Sequence, residues 1–391
     1  MAKKQEVRTI KVNGTTIKAW SPTIERDKEV QKSLRKLKHY PDIYSHVALM
    51  PDYHLGETSI NGSIIPSKET LYLNAIGGDI GCGIASINLG IREENLEAKT
   101  RDLYKAIVSR VPTGRRVHIH PEERIDSLDI FRADNPIFTN SVIKKAKQQM
   151  GTVGDGNHFV EIQKDQEGNL YAMVHTGSRY LGQVIREVHS RNGSQPNPKS
   201  PIMLNINDQE GEAYLQDSQL ALAYSEENRK EILRKVLEAI SETLGEIPKG
   251  QQEKILEGIL DVPHNFIAKE THFGTELLVH RKGAIYVPEG SLGIIAGTMG
   301  TPSYIVQGRG NKESFESASH GAGRRMPRGR ALRSISHKEF LRTMDGIESR
   351  KDENVLDESP QAYKSIKEVM RSQKSLVRKV EELFPLINVR G

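Results

Sequence analysis

A mixed α+β fold with sheets at its centre is predicted for this 391-residue chain by three features. Runs that alternate apolar and polar residues recur in both halves, the two-residue period of half-buried strands. From about residue 208 to 260 the spacing changes to that of amphipathic helix, with Tyr214, Leu215, Leu220, Ala221, Ala223 and Tyr224, then Ile232, Leu233, Val236, Leu237 and Ile240 in helical register. A second such stripe, Ile366, Val369, Met370, Leu376, Val377, Val380 and Leu383, predicts one C-terminal helix from about 359 to 384. No break in composition bounds the 208–260 block, which reads as a helical insertion over a sheet-based core, divided at Gly250.

The elements follow in order. Val7, Ile10, Val12, Ile17 and Trp20 alternate around Asn13-Gly14, the dipeptide of a tight hairpin. The charged stretch 24–38 predicts a helix. Residues 47–50 read as a strand that runs into Pro51, Asp52, Tyr53 and His54. Strand exits commonly carry functional groups, although His54 reads equally well as a polar loop residue. Residues 62–66 and 84–89 are predicted strands. A helix follows around Leu96, Leu103, Ala106, Ile107 and Val111, and Pro112-Thr113-Gly114 ends it. His118-x-His120 alternates like a strand, but nothing else converges on it, and it reads as a surface loop. Residues 192–198 are loop, and strand-rich sequence resumes from 262 onward.

Composition narrows the class. A hydrophobic fraction of 36% and a mean hydropathy of −0.55 fit a globular chain with a large core. The first eight residues lack the apolar run of a signal peptide, and no later segment is long and apolar enough to span a bilayer, so no membrane partner is expected. The single cysteine excludes an internal disulfide, and a reducing cytoplasm is the expected setting. A net charge of +5, from 56 basic and 51 acidic residues, permits a polyanionic partner without demanding one. Arg324, Arg325, Arg328, Arg330 and Arg333 crowd one stretch, which is either a solvated basic face or part of such a contact.

The chemistry centres on residues 74–83, where Cys82 sits among four glycines three positions after Asp79. Glycine lets backbone approach a ligand closely, and a turn there aims thiolate and carboxylate at one point. A thiolate is a soft ligand able to bridge two ions, and a carboxylate suits harder ones. A buried thiol beside a capping aspartate is the competing description. His158, after Gly154-Asp155-Gly156-Asn157, and His175, before Thr176-Gly177-Ser178-Arg179, each stand at a strand end facing small residues. They read evenly as ligands or as hydrogen-bonded structure. Mixed S, N and O donors would suit Mn, Fe, Co or Zn. In Ser319-His320-Gly321-Ala322-Gly323-Arg324, small residues around one histidine offer a concave run of backbone amides for an anion, and the arginine adds a phosphate contact. A neutral imidazole is a competent nucleophile toward phosphorus. These residues alone point to metal-assisted phosphoryl or nucleotidyl transfer.

Met50-Pro51-Asp52-Tyr53-His54-Leu55-Gly56, Gly78-Asp79-Ile80-Gly81-Cys82-Gly83, Gly156-Asn157-His158-Phe159-Val160-Glu161, His175-Thr176-Gly177-Ser178-Arg179, His264-Asn265, Val279-His280-Arg281-Lys282-Gly283 and Ser319-His320-Gly321-Ala322-Gly323-Arg324 occur in this order. Together, from about residue 47 to the C-terminus, they resemble the RtcB family of RNA-splicing and RNA-repair ligases. The resemblance implies one α+β catalytic domain over 1–391 built around a central cleft. It also implies a GTP- and manganese-dependent activity that joins RNA 3′-phosphate or 2′,3′-cyclic phosphate ends to 5′-hydroxyl ends. By that likeness His320 carries GMP; Asp79, Cys82 and His158 hold one Mn; and Cys82, His175 and His264 hold a second. Asn157, Glu161, Asn265, Ala296, Gly297, Thr298, Met299, Ser303, Gly321, Ala322 and Gly323 cradle the guanylate, while Tyr363 and Arg390 close the base pocket. Arg179 and Arg324 bind phosphate, and an archease-like activator is a partner the likeness allows.

Some positions depart from the family's pattern. Arg390 stands where lysine is usual, Glu57 where a basic residue is common, Asp155 for glycine and Thr176 for serine. Arginine can still donate to guanine O6 and N7. The rival readings are a metal-dependent phosphoesterase acting on cyclic phosphates, which has no need of His320, and a non-catalytic RNA-binding protein, which leaves the Asp79, Cys82 and histidine set without purpose.

Overall fold

Two stacked sheets carry the molecule, and the alternation of their side chains decides what lies between and outside them. The computed structural model describes residues 7–56, 59–96, 98–131 and 135–391, so Glu57 lies outside the described residues. The first sheet has six strands in the order Arg8–Val12, Thr15–Ala19, Val47–Leu55, Ile60–Ser67, Thr275–Lys282 and Asn265–His272. Its opening hairpin turns on Asn13 and Gly14, both at positive φ (49° and 91°), as the dipeptide predicts. The second sheet has eight strands. Its path runs Leu260–Pro263, Gly83–Arg92, Asn169–Thr176, Phe159–Lys164, Val377–Arg390, Ser303–Gly308 and Leu292–Ile295, and Glu348–Ser349 pairs with Val377–Arg390 off that path.

Successive residues of the second sheet point to opposite faces. Ile84, Phe159 and Met173 share one core with Ala48, Met50, Ile64 and Val279 of the first sheet. Ala85, Ile87, Val160, Ile162, Ala172 and Val174 face the other way, onto Ile232, Leu233, Val236, Leu237 and Ile240. These last five belong to Gln209–Leu244, a 36-residue helix that lies across the sheet's outer face as the insertion pattern predicts. Each buried aliphatic side chain there contributes about 1.5–3 kcal/mol. Gly245, in the left-handed conformation at φ 75°, ends the helix, so the dividing glycine is Gly245 and not Gly250. No helix among the described residues is long and apolar enough to cross a membrane.

The predicted C-terminal helix is corrected. Within 359–384 only Ile366–Ser372 is α-helical, after a short 3-10 turn at Pro360–Ala362; Val377–Arg390 is a 14-residue strand inside the second sheet. Pro385 cannot sit in a helix interior, and here it falls at a shift of register against Gln163. Val377, Ile387 and Val389 favour extended backbone. The strand's end pairs Arg390 with Phe159.

Candidate active site at the sheet ends

Strand register gathers the chemistry. Ile84 pairs with His175, His175 with Phe159, and Pro263 with Gly83, so Cys82, His158, His175 and His264 emerge together at one end of the second sheet. Arg229 of the long helix locks those ends in place. It is fully buried, pairs bidentately with Asp261 (2.6 Å to each oxygen), and donates to the carbonyls of Gly81 and Thr176 at 2.9 Å.

The donors form two triads that share one sulfur: Asp79, Cys82 and His158, and Cys82, His175 and His264. Cys82 Sγ lies 3.3 Å from His158 Nε2 and 3.2 Å from His175 Nε2. His175 Nε2 is 3.3 Å from His264 Nε2, and His158 Nε2 is 3.8 Å from Asp79 Oδ2. His158 and His175 each turn Nδ1 to a backbone carbonyl, of Val153 and Asn157, at 3.1 Å. An N–H donated there leaves the Nε2 lone pair pointing into the cluster, the usual support of a ligating imidazole. Burial, reinforced by the neighbouring imidazoles, holds His175 and His264 well below the ordinary histidine range, so both are neutral donors. Burial and the Asp79 charge push the Cys82 thiol well up. Burial opposes ionisation of Asp79, but His158 outweighs it and lowers the carboxyl. The set mixes S, N and O donors in a buried cluster and fits one or two first-row divalent ions.

A file of rings leads outward from the cluster. His264 and His320 have centroids 4.7 Å apart, and His320 stacks on His54 at 6.4 Å. His320 lines a cavity of about 310 Å³ together with Asn157, Ala296, Ala322, Arg324, Tyr363 and Arg390. Its Nδ1 lies 2.7 Å from Oδ2 of the fully buried Asp52, but the angle is not that of a formed hydrogen bond, so the contact is electrostatic. The same oxygen accepts the backbone N–H groups of His320 (3.2 Å) and Gly321 (3.3 Å). Burial would raise the Asp52 carboxyl, and the facing His320 lowers it below the usual range. Two amides of the predicted anion nest are thus spent on Asp52, and the other two residues of the nest, Ala322 and Gly323, line the cavity. Gly323, at φ 71°, is required: a Cβ there would sit 2.0 Å from the Asp52 carbonyl.

The opposite wall is organised by Glu358. Its carboxylate collects Arg324 (3.1 Å), Arg328, Tyr363 (2.5 Å) and Arg390 (2.6 Å). Arg390 also donates to Asn388 and lies over the Phe159 ring.

The profile of the family described as tRNA-splicing ligase RtcB matches residues 33–391. The chain belongs to the RtcB family. It is 34% identical over 405 residues to the RNA-splicing ligase RtcB of Escherichia coli (strain K12), an alignment that covers 96% of this chain and 97% of that protein. A tRNA-splicing ligase RtcB of Methanococcus maripaludis is 27% identical, covering 93% and 92%, and an RNA-splicing ligase RtcB homolog 1 of Entamoeba histolytica is 28% identical, covering 88% and 80%.

Within this RtcB-family site the sequence-predicted residues separate into two groups. His320, Asn157, Ala296, Gly297, Gly321, Ala322, Gly323, Arg324, Tyr363 and Arg390 line the His320 cavity. Glu161, Asn265, Thr298, Met299 and Ser303 stand behind it. Glu161 is buried against Gln163 and Asn388, and burial raises its carboxyl to about 7. Asn265 ties the Asp79 carbonyl to the Gly283 amide. Ser303 accepts the Gly297 amide, Thr298 bonds Thr301, and Met299 packs against Phe340 and Met344. Arg179 lies across the cluster, on the wall of a second cavity. Sequence reasoning missed Arg229, Arg328 and Glu358 as site residues. Arg328 was hidden in a charge run, and Glu358 and Arg229 sit among other charged residues with no spacing to mark them.

Proposed function

We propose that this protein is an RNA ligase that joins RNA 3′-phosphate or 2′,3′-cyclic phosphate ends to 5′-hydroxyl ends, with GTP as its nucleotide and two manganese ions, in one catalytic unit. Relatives named RNA-splicing ligase support the reaction class. The observation that carries the reading is the position of His320: in the lining of a cavity of about 310 Å³ and with its ring 4.7 Å from that of His264 in the sulfur-centred donor cluster.

Asp79, Cys82 and His158 would hold one ion and Cys82, His175 and His264 the other, supplying Lewis-acid polarisation of phosphate oxygens. His320 attacks the α-phosphorus through Nε2, and the P–N bond forms as pyrophosphate leaves. Asp52 fixes which nitrogen faces the cavity and stabilises the positive charge that develops on the ring. The amides of Ala322 and Gly323 and the guanidinium of Arg324 face the phosphate. An oxygen of the RNA 3′-phosphate then displaces His320 and takes GMP. The 5′-hydroxyl oxygen attacks that activated phosphorus, closing the phosphodiester and releasing GMP. A cyclic phosphate is first opened by water to the 3′-monophosphate.

Incubation with manganese and α-labelled GTP is expected to give an acid-labile protein–GMP adduct, absent from His320→Ala. An unlabelled wild-type protein across a range of metal conditions would exclude the mechanism.

A further inference from the structure

At the other end of the file of imidazoles, beyond His158, lies a larger cavity of about 960 Å³. We propose that this groove holds the RNA strand that ends in phosphate, with the exposed face of the helix Arg179–Asn192 as its phosphate-binding wall. This rests on the RNA-ligase reading above. Arg179, Arg186 and Arg191 all line the groove from that helix. At 1.5 Å rise per residue, Arg186 and Arg191 stand about 10 and 18 Å along the axis from Arg179, far enough apart to take different phosphates.

These cations are uncommitted. Arg186 makes no hydrogen bond or ion pair among the described residues, and the buried Nε of Arg179 has no partner. Among the described residues Arg191 pairs only with Glu187, at 2.6 Å, and both are about 70% exposed, an arrangement that contributes little. Arg179 is nevertheless held in position: its guanidinium lies flat against Gly154, where a Cβ would fall 2.0 Å away.

Polarity along the groove selects the strand. Asp79 and His158, two of the proposed metal donors, line the end where Arg179 sits, so the cations they would hold and the Arg179 guanidinium together would put the greatest density of positive charge beside the reacting centre. A terminal phosphomonoester, the most charged group on either RNA end, belongs there; a 5′-hydroxyl end has no such charge. Upstream phosphodiesters then pass Arg186 and Arg191. Among the described residues no Phe, Tyr or Trp lines the groove, its one aromatic ring is the His158 imidazole turned to the donor cluster, and Ile202 is its one large apolar wall. The groove therefore tracks backbone and does not read bases.

The test measures binding of a short 5′-labelled single-stranded RNA ending in 3′-phosphate to the manganese-loaded protein without nucleotide. In the variant Arg186→Ala/Arg191→Ala, affinity is expected to fall about tenfold, and the dependence of log K on log salt to flatten by about 1.4, or 0.7 per lost phosphate contact. Both changes should be the same for RNAs of different sequence. Arg186→Lys/Arg191→Lys should keep most of the slope, and equal unfolding midpoints would separate lost charge from lost fold. Unchanged affinity and slope overturn the assignment, as does a loss seen with a 5′-hydroxyl RNA lacking 3′-phosphate but not with the phosphate-ended one. Adduct formation by the wild type is read in parallel. If the adduct forms and the variant binds RNA normally, only the groove assignment fails; with no adduct, the ligase reading itself fails.

Discussion

Asp52 is the side chain on which His320 depends, because one of its oxygens faces the ring nitrogen and also accepts two amides of the loop that carries it. Asp52→Asn keeps the size but loses the charge. It is expected to slow adduct formation about a hundredfold, since a small misplacement of a reacting group costs that much. The KM for GTP should move little, and single-turnover label incorporation across nucleotide concentrations checks both. A wild-type rate would refute the role. At this scale the sequence was legible where chemistry is local: Asp79 and Cys82 share one turn, and His320 sits among small residues. It was opaque where partners are distant. Nothing in Gly323 announces that the Asp52 carbonyl occupies the space of its missing side chain, although the two are far apart in the chain.

Between elements, the helix Arg179–Asn192 is tied to the long helix by His189, whose Nδ1 and Nε2 each lie 2.6 Å from a carboxylate, Glu210 and Asp217. Burial alone would depress this imidazole, but the two carboxylates outweigh it and raise it above 6.5. A histidine raised on folding contributes stability that is fully present below pH 6.5 and is lost as pH climbs through the folded value. Thermal unfolding midpoints should therefore fall over that window in the wild type, and His189→Gln should flatten the decline. His189→Ala should cost about 3–5 kcal/mol below pH 6.5 by leaving buried carboxylate unpaired. A pH dependence identical in wild type and His189→Gln would exclude the tie. Element identity was readable for the hairpin and the long helix because their signals are local. The last strand was misread because Ile366, Val369 and Met370 do lie on a helix, while Leu376 from the turn that follows and Val377 and Leu383 from extended backbone bury into the same core. Only its pairing with two distant strands, Ser303–Gly308 along Val377–Leu383 and Phe159–Lys164 along Phe384–Arg390, decides the matter.

For the molecule as a whole, Arg229 joins the helical layer to the sheet at the point where the donors emerge. Arg229→Met is expected to lower manganese affinity about 10–100-fold. It should also destabilise the fold by about 3–5 kcal/mol through the stranded Asp261. Metal titration calorimetry and unfolding curves check the two effects, and unaltered metal affinity would show that the donors hold themselves. The wall opposite His320 has a further consequence. Arg324, Arg328 and Arg390 all rest on Glu358, and Asp357 also binds Arg328, which leaves a surplus of one positive charge. The cavity thus carries its own internal counter-ion. On the ligase reading, an arriving polyphosphate would meet guanidinium groups already aimed and held still, so less ordering would be required at the moment of capture. Solvent anions, for their part, find no bare cation to settle on.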